Sequence, residues 1–281
     1  MARKLAKNND GAYYAFFDED MKKQKAHERL ITSSFEPAIE KQEFEMFLQP
    51  KMNLATNTAV GAEGLVRWKQ HDGTYRMPSE FIGVLEKYNF IQQMDLAMLE
   101  MALKAIEKWR KDGVEPVPVS INFSKQNSNS PDFVEKIMNL FNQYDVPRQF
   151  IEVEINESAL GGDIDILYDN LRSLKKKGFT VAIDNFGRGL ASLGSLMKAP
   201  IDMVKVDRMF LEGLEDSPIK QDYISNMCML ISSVKKQIIF EGVESQEQAD
   251  FLYSCGIVVV QGFLYGQPVN ADEFAKKYLE Y

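Results

Sequence analysis

The chain has 281 residues, 45% of them hydrophobic, which is enough for one large core and excludes a natively disordered polymer. Its 33 basic residues stand against 41 acidic ones, and the net charge of −8 excludes a broad electrostatic footprint for DNA. No apolar stretch reaches membrane-spanning length, the N-terminus is charged rather than signal-like, and Cys228 and Cys255 form no metal or disulfide framework, so a soluble cytoplasmic protein is expected.

Residues 1 to about 36 are charged and poor in β-branched residues, with a helix-like segment from Asp18 to Leu30. They read as a linker or the tail of a preceding domain, with the main domain at 37–281. Strand-like runs follow at Phe44–Met52 and Ala59–Trp68, and the short stretch between them holds no crossover helix, so this pair is expected to be antiparallel. Helical stretches at Pro78–Lys87 and Asp95–Lys111 lead to a strand at Val117–Phe123, and a helix at Pro131–Tyr144 leads to one at Phe150–Ile155. Further strands are expected at Thr180–Asp184, Met203–Val206, Ile238–Glu241 and Ile257–Gln261, with helices between. Eight strands, six of them following helices, predict an α/β fold: a TIM-like (β/α)8 barrel with an antiparallel first strand.

Polar residues recur at or near the ends of these strands: Glu63, Asn122, Glu154, Asp184, Lys205, Glu241 and Gln261. In Ile151-Glu152-Val153-Glu154-Ile155, alternation puts the apolar residues on one face and both glutamates on the other, which points the glutamates into the barrel. Any one acidic residue at a strand end is commonly a surface group or a helix cap, but several converging on one rim are better explained by a bound cation. Oxygen donors without a histidine or cysteine cluster favour Mg2+ or Mn2+, with Glu63, Asn122, Glu154 and Asp184 as ligands. Lys205 would orient water or stabilise charge on phosphorus, and Glu241 would serve as general base or ligand to a second ion. Arg67 points with Glu63 and Leu65 and is a candidate phosphate anchor, while Gly187 and Gly189 give a tightly turned or mobile loop beside Asp184. Glu244 and Asp207 read as helix-start residues.

From about residue 37 to its end the chain resembles the EAL domain family of cyclic di-GMP phosphodiesterases. Glu63-Gly64-Leu65-Val66-Arg67-Trp68 is similar to the signature, Val119-Ser120-Ile121-Asn122-Phe123-Ser124 to the asparagine strand, and Glu154-Ile155-Asn156-Glu157 to ExTE. Asp184-Asn185-Phe186-Gly187 resembles DDFG, Lys205-Val206-Asp207 KxD, Glu241-Gly242-Val243-Glu244 EGVE, and Gln261-Gly262-Phe263 QGY/F. The resemblance implies hydrolysis of cyclic di-GMP to linear pGpG with Mg2+ or Mn2+, one ion held by Glu63, Asn122, Glu154 and Asp184. It implies that Lys205 positions water, that Glu241 acts as base or second-metal ligand, and that Glu157 holds the loop after DDFG. Gln49, Leu65, Arg67 and Pro268 would line the dinucleotide pocket, and Gln261 is counted with these substrate-binding residues. Homodimers are expected on the same ground. Phe16-Phe17-Asp18-Glu19-Asp20-Met21 resembles the tail of a GGDEF domain, which implies an upstream signalling domain.

Two positions depart from the family. Gly64 replaces the signature alanine, for which a minor effect is expected. Asn185 replaces the second aspartate of DDFG, which the family uses on a second ion, and Arg188 adds a bulky charge to the same loop. The amide would weaken that second metal position, so the leading reading is a phosphodiesterase of reduced activity. The competing reading is a sensor module that binds cyclic di-GMP without turnover.

Overall fold

The computed structural model describes residues 19–161, 164–189 and 193–279. Phe16, Phe17 and Asp18 of the segment likened to a GGDEF tail lie outside these residues. Helix α1 (Glu19–Glu40) runs well beyond the predicted Leu30 and passes through Pro37. Ile31, Phe35 and Ala38 share one helical face and are buried, so the boundary expected at residue 36 falls inside an element that packs on the domain.

The strands are β1 (Phe44–Asn53), β2 (Thr58–Lys69), β3 (Tyr75–Arg76), β4 (Val119–Phe123), β5 (Ile151–Asn156), β6 (Thr180–Phe186), β7 (Met203–Val206), β8 (Gln237–Phe240), β9 (Val259–Gln261) and β10 (Val269–Asn270). Among the described residues they form one sheet, in which β1, β2, β4, β5, β6, β7, β8 and β9 close into a barrel. As predicted, β1 is antiparallel to both neighbours, β2 and β9, while the remaining barrel pairings are parallel. The Asn53 carboxamide oxygen accepts from Ala55 N at 2.8 Å and Thr56 N at 3.2 Å, and Asn57 takes a positive φ of 54°, which together turn the chain back from β1 into β2.

Helix α2 (Pro78–Lys87) begins where predicted, with proline in its first turn and the Glu80 carboxylate accepting from Met77 N at 2.7 Å. Helix α3 (Ile91–Lys111) follows, and then α4 (Lys125–Ser128), α5 (Phe133–Phe141), α6 (Asp165–Lys176), α7 (Leu193–Lys198), α8 (Pro218–Ser233), α9 (Gln246–Ser254) and α10 (Ala271–Tyr278). Outward-facing strand residues such as Ile121, Ile151, Val153, Ile155 and Val204 join the large core between sheet and helices. Inside the barrel, Ala182, Met203, Ile239 and Val259 form a separate small apolar cluster. Each stands two residues before Asp184, Lys205, Glu241 and Gln261 respectively, so strand alternation stacks the polar residues directly above an apolar floor.

Candidate functional site

Register brings the strand-end residues together. Gln49 pairs with Glu63 across β1 and β2, Asn122 with Glu154 across β4 and β5, and Asn156 with Asp184 across β5 and β6. At the centre lies the Lys205 ammonium, fully buried. Its Nζ is 2.9 Å from Glu63 Oε2, 2.8 Å from Glu154 Oε2, 2.7 Å from Glu241 Oε1 and 3.4 Å from Asp184 Oδ1. Four carboxylates from separate stretches of chain therefore surround one point in the barrel mouth. Asn122 Nδ2 donates to Glu63 Oε1 at 2.8 Å, and Gln261 Nε2 donates to Glu63 Oε2 at 2.7 Å and Gln49 Oε1 at 2.9 Å.

Sequence reasoning missed Lys51. It is buried in β1, its Nζ bonded to Glu152 Oε2 at 2.6 Å and Glu154 Oε1 at 3.0 Å, so Glu154 bridges two ammoniums. The signal available was its place two residues after Gln49, on the same inward face. Five carboxylates thus meet only two ammoniums inside the barrel.

Burial in low dielectric opposes every one of these charges, and the partners decide the outcome. For Glu154, burial pushes the pKa up, but Lys205 and Lys51 overcome it and hold the carboxyl at about 2. For Asp184, burial wins despite Lys205, helped by Glu154 and Glu63, and the value rises to about 6. Glu241 is pushed up by burial to about 8, with Asp184 and Glu63 adding to the effect against Lys205. Burial alone would lower the Lys205 pKa, but Asp184, Glu154, Glu241 and Glu63 hold it well above the ordinary lysine range.

Glu157, immediately after β5, grips the loop that follows β6. Its Oε2 accepts from Gly187 N at 3.0 Å and Gly189 N at 2.7 Å, which makes a tight turn of residues 187–189. Gly187 takes φ +99°, and a Cβ there would collide with the Phe210 ring. Asn185 also has positive φ, 56°, a region asparagine tolerates better than most residues, and its Nδ2 donates to Asp184 Oδ2. Arg188 pairs with the buried Asp207 through Nε at 2.5 Å, while the other Asp207 oxygen caps Met209 N at 2.9 Å, as a helix-start residue does. Glu244 stands just before the actual N-cap of α9, Ser245, whose side chain accepts from Gln248 N.

The other expected substrate residues stand apart from the carboxylate network. Half-buried Arg67 lies over the Phe47 ring at 5.7 Å and donates to Val66 O. Leu65 lines a cleft of about 300 Å3 that runs from Asn122, Asp184 and Asn185 to an apolar wall that includes Pro78, Ile82 and Met94. Pro268 precedes β10, which pairs with Phe47 and Leu48 of β1.

Among the described residues, no group of three or more His, Cys, Asp or Glu stands arranged to hold a metal ion, because the Lys205 ammonium is what the carboxylates close upon. The donor chemistry nevertheless fits one hard divalent ion. The donors are oxygens, negative charge is in excess, and the buried Asp184 Oδ1 has no hydrogen-bond partner.

The family model described as EAL domain matches residues 32–268. The signaling protein YkoW of Bacillus subtilis is 30% identical over 268 residues, which cover 95% of this chain and 33% of that protein. The cyclic di-GMP phosphodiesterase RocR of Pseudomonas aeruginosa is 30% identical over 232 residues, covering 83% of this chain and 59% of RocR. The chain thus spans between a third and three-fifths of these two relatives. Among solved structures, the PaMucR phosphodiesterase in complex with c-di-GMP aligns with a TM-score of 0.81 at 26% identity, over 87% of this chain and 99% of that one. The EAL domain protein of Listeria monocytogenes aligns with a TM-score of 0.78 at 28% identity, over 88% and 97%. No helix among the described residues is long and apolar enough to cross a membrane.

Proposed function

Because the chain belongs to the EAL domain family, we propose that it binds cyclic di-GMP across the barrel mouth and hydrolyses one phosphodiester to give linear pGpG. The observation that carries this reading is the convergence of Glu63, Glu154, Asp184 and Glu241 on one point beside a cleft. Glu63, Asn122, Glu154 and Asp184 would hold one Mg2+ or Mn2+, whose charge, when bound, polarises the phosphoryl group and acidifies water.

The chain's own groups then divide the work. Glu241, whose affinity for protons is raised to about 8, is suited to take the proton of the attacking water near neutral pH. Water oxygen bonds to phosphorus as the bond from phosphorus to O3′ breaks, the departing oxygen takes a proton from solvent to end as a hydroxyl, and Glu241 returns its own proton to solvent. Lys205 supplies a fixed cation toward the charge developing on the phosphoryl oxygens. Leu65 lines the cleft where the dinucleotide would lie, with Arg67 as its phosphate anchor, while Gln261, itself bonded to Gln49, and Asn122 hold Glu63 in orientation. Glu157 positions the loop that carries Gly187 and Gly189.

The turn of the Asn185 amide toward Asp184 favours the second reading, a binding module with little turnover. Chromatography of cyclic di-GMP incubated with Mg2+ or Mn2+, run beside calorimetry of the same ligand, separates the two. Formation of pGpG supports the phosphodiesterase, tight binding without product supports the sensor, and no binding overturns both. A homodimer and an upstream signalling domain belong to the same proposal, the domain being supported by the greater length of the relatives.

A further inference from the structure

The rim between β6 and β7 is electrically unlike the rest of the mouth. Asp184 is followed by neutral Asn185, whose amide points a donor at Asp184 Oδ2, the reverse of what a cation sitting there requires. Across the gap, Asp207 is nearly inaccessible, with 3% of its side chain exposed, and is therefore costly to leave unpaired. Its cation is Arg188, whose Nε stands 2.5 Å from Asp207 Oδ2 while 55% of the side chain remains exposed toward solvent. Arg188 sits at the centre of a hydrogen-bonded turn. The amides on both sides of it, Gly187 N and Gly189 N, are clasped by the one Glu157 oxygen, and Arg188 N itself donates to Asn185 O at 3.3 Å.

Where the DDFG pattern that this stretch resembles has a second carboxylate, this chain carries an amide, and a cation stands three residues later on the same loop. We propose that Arg188 is the resident cation of this flank, so that the mouth takes a single divalent ion and the Arg188 guanidinium occupies the electrostatic place of a second. With Nε committed to Asp207, the remaining N–H groups of its fork suit a phosphate oxygen of the bound dinucleotide. This rests on the proposed function, since it presumes that the first ion and the phosphodiester meet here.

The test is calorimetric titration of the whole chain with Mn2+, followed by titration with a non-hydrolysable cyclic di-GMP analogue. One ion per chain is expected, rising to two in Asn185→Asp/Arg188→Ala, where Asp184, the new carboxylate and an unpaired Asp207 share the flank. Arg188→Lys retains a charge and should still bind one ion, which guards against misfolding of the double variant. The single variant Arg188→Ala should weaken analogue binding at least about tenfold, with Arg188→Lys intermediate. Two ions in the unaltered chain, one ion in a folded double variant, or unchanged analogue affinity in Arg188→Ala would each overturn the assignment and leave the phosphodiesterase reading standing. No Mn2+ in the unaltered chain would overturn both.

Discussion

Glu154 and Glu241 both touch the Lys205 ammonium, yet one is held at about 2 and the other raised to about 8. The layer beneath them differs. Below Glu154 on β5 lies Glu152 with Lys51, a charged floor that places a second ammonium against Glu154. Below Glu241 lies Ile239, packed with Ala182, Met203 and Val259, an apolar floor that provides no counterion. One barrel thus keeps a permanently ionised carboxylate and a protonatable one within reach of the same lysine, by varying the residue two positions earlier on each strand.

The strongest way to break that contrast is Lys205→Met, which leaves four carboxylates without their shared cation. A loss of about 3 to 5 kcal/mol in urea unfolding is expected, together with loss of pGpG formation, and a loss below about 1 kcal/mol would mean the cluster is not held by this ammonium. Lys51→Met removes only the charged floor. It should cost about 2 to 3 kcal/mol, less than Lys205→Met because Glu154 keeps Lys205 and Glu152 retains some contact with solvent. Equal costs would erase the distinction between the two floors.

A sharper probe is pH. Asp184 and Glu241 have raised affinities for protons, so below about 6 both are protonated and an ion must displace those protons, while above about 8 both are free. Of the two, Asp184 is the ligand to the proposed ion, so Mn2+ affinity measured calorimetrically should rise with pH by about tenfold between pH 5 and 7, with proton release on binding. A flat profile would show that the apolar floor does not raise these groups. The smallest expected effect is at Gly64, which faces away from both floors. An alanine methyl there would stand 2.8 Å from Ile121 Cδ1 and 3.1 Å from Met46 Sδ, both movable ends, so Gly64→Ala should change stability by about 1 kcal/mol or less. A larger loss in thermal unfolding would show that Ser120 O, at 3.3 Å, cannot yield.

Much of the barrel was legible because alternation and strand-end polarity are local: Glu154 and Glu152 announce their face within five residues, and Pro78 marks the start of α2. What could not be read was pairing over distance. The place of Lys51 two residues after Gln49 hints at an inward face, but its partners stand 101 and 103 residues away. The Arg188 and Asp207 pair joins two separate motifs, so the chain order shows the added charge without showing what it meets. The extent of α1 past Leu30 depends on contacts the sequence does not display: burial of Phe35 and Ala38 against the domain carries the helix through Pro37 despite the lost backbone donor. Two-residue strands such as β3 and β10 carry too little pattern to register, because their partners rather than their composition define them.

Glu28 fastens α1 to the barrel. Near the middle of α1 it accepts from both Lys87 Nζ and the Tyr88 hydroxyl, while His27 Nε2 meets Glu80 O, so the rod is riveted at both ends of α2. Pro78 and Ile82 of that helix wall the cleft, so the 22-residue α1, about 33 Å long, is tied through α2 to one side of the barrel mouth.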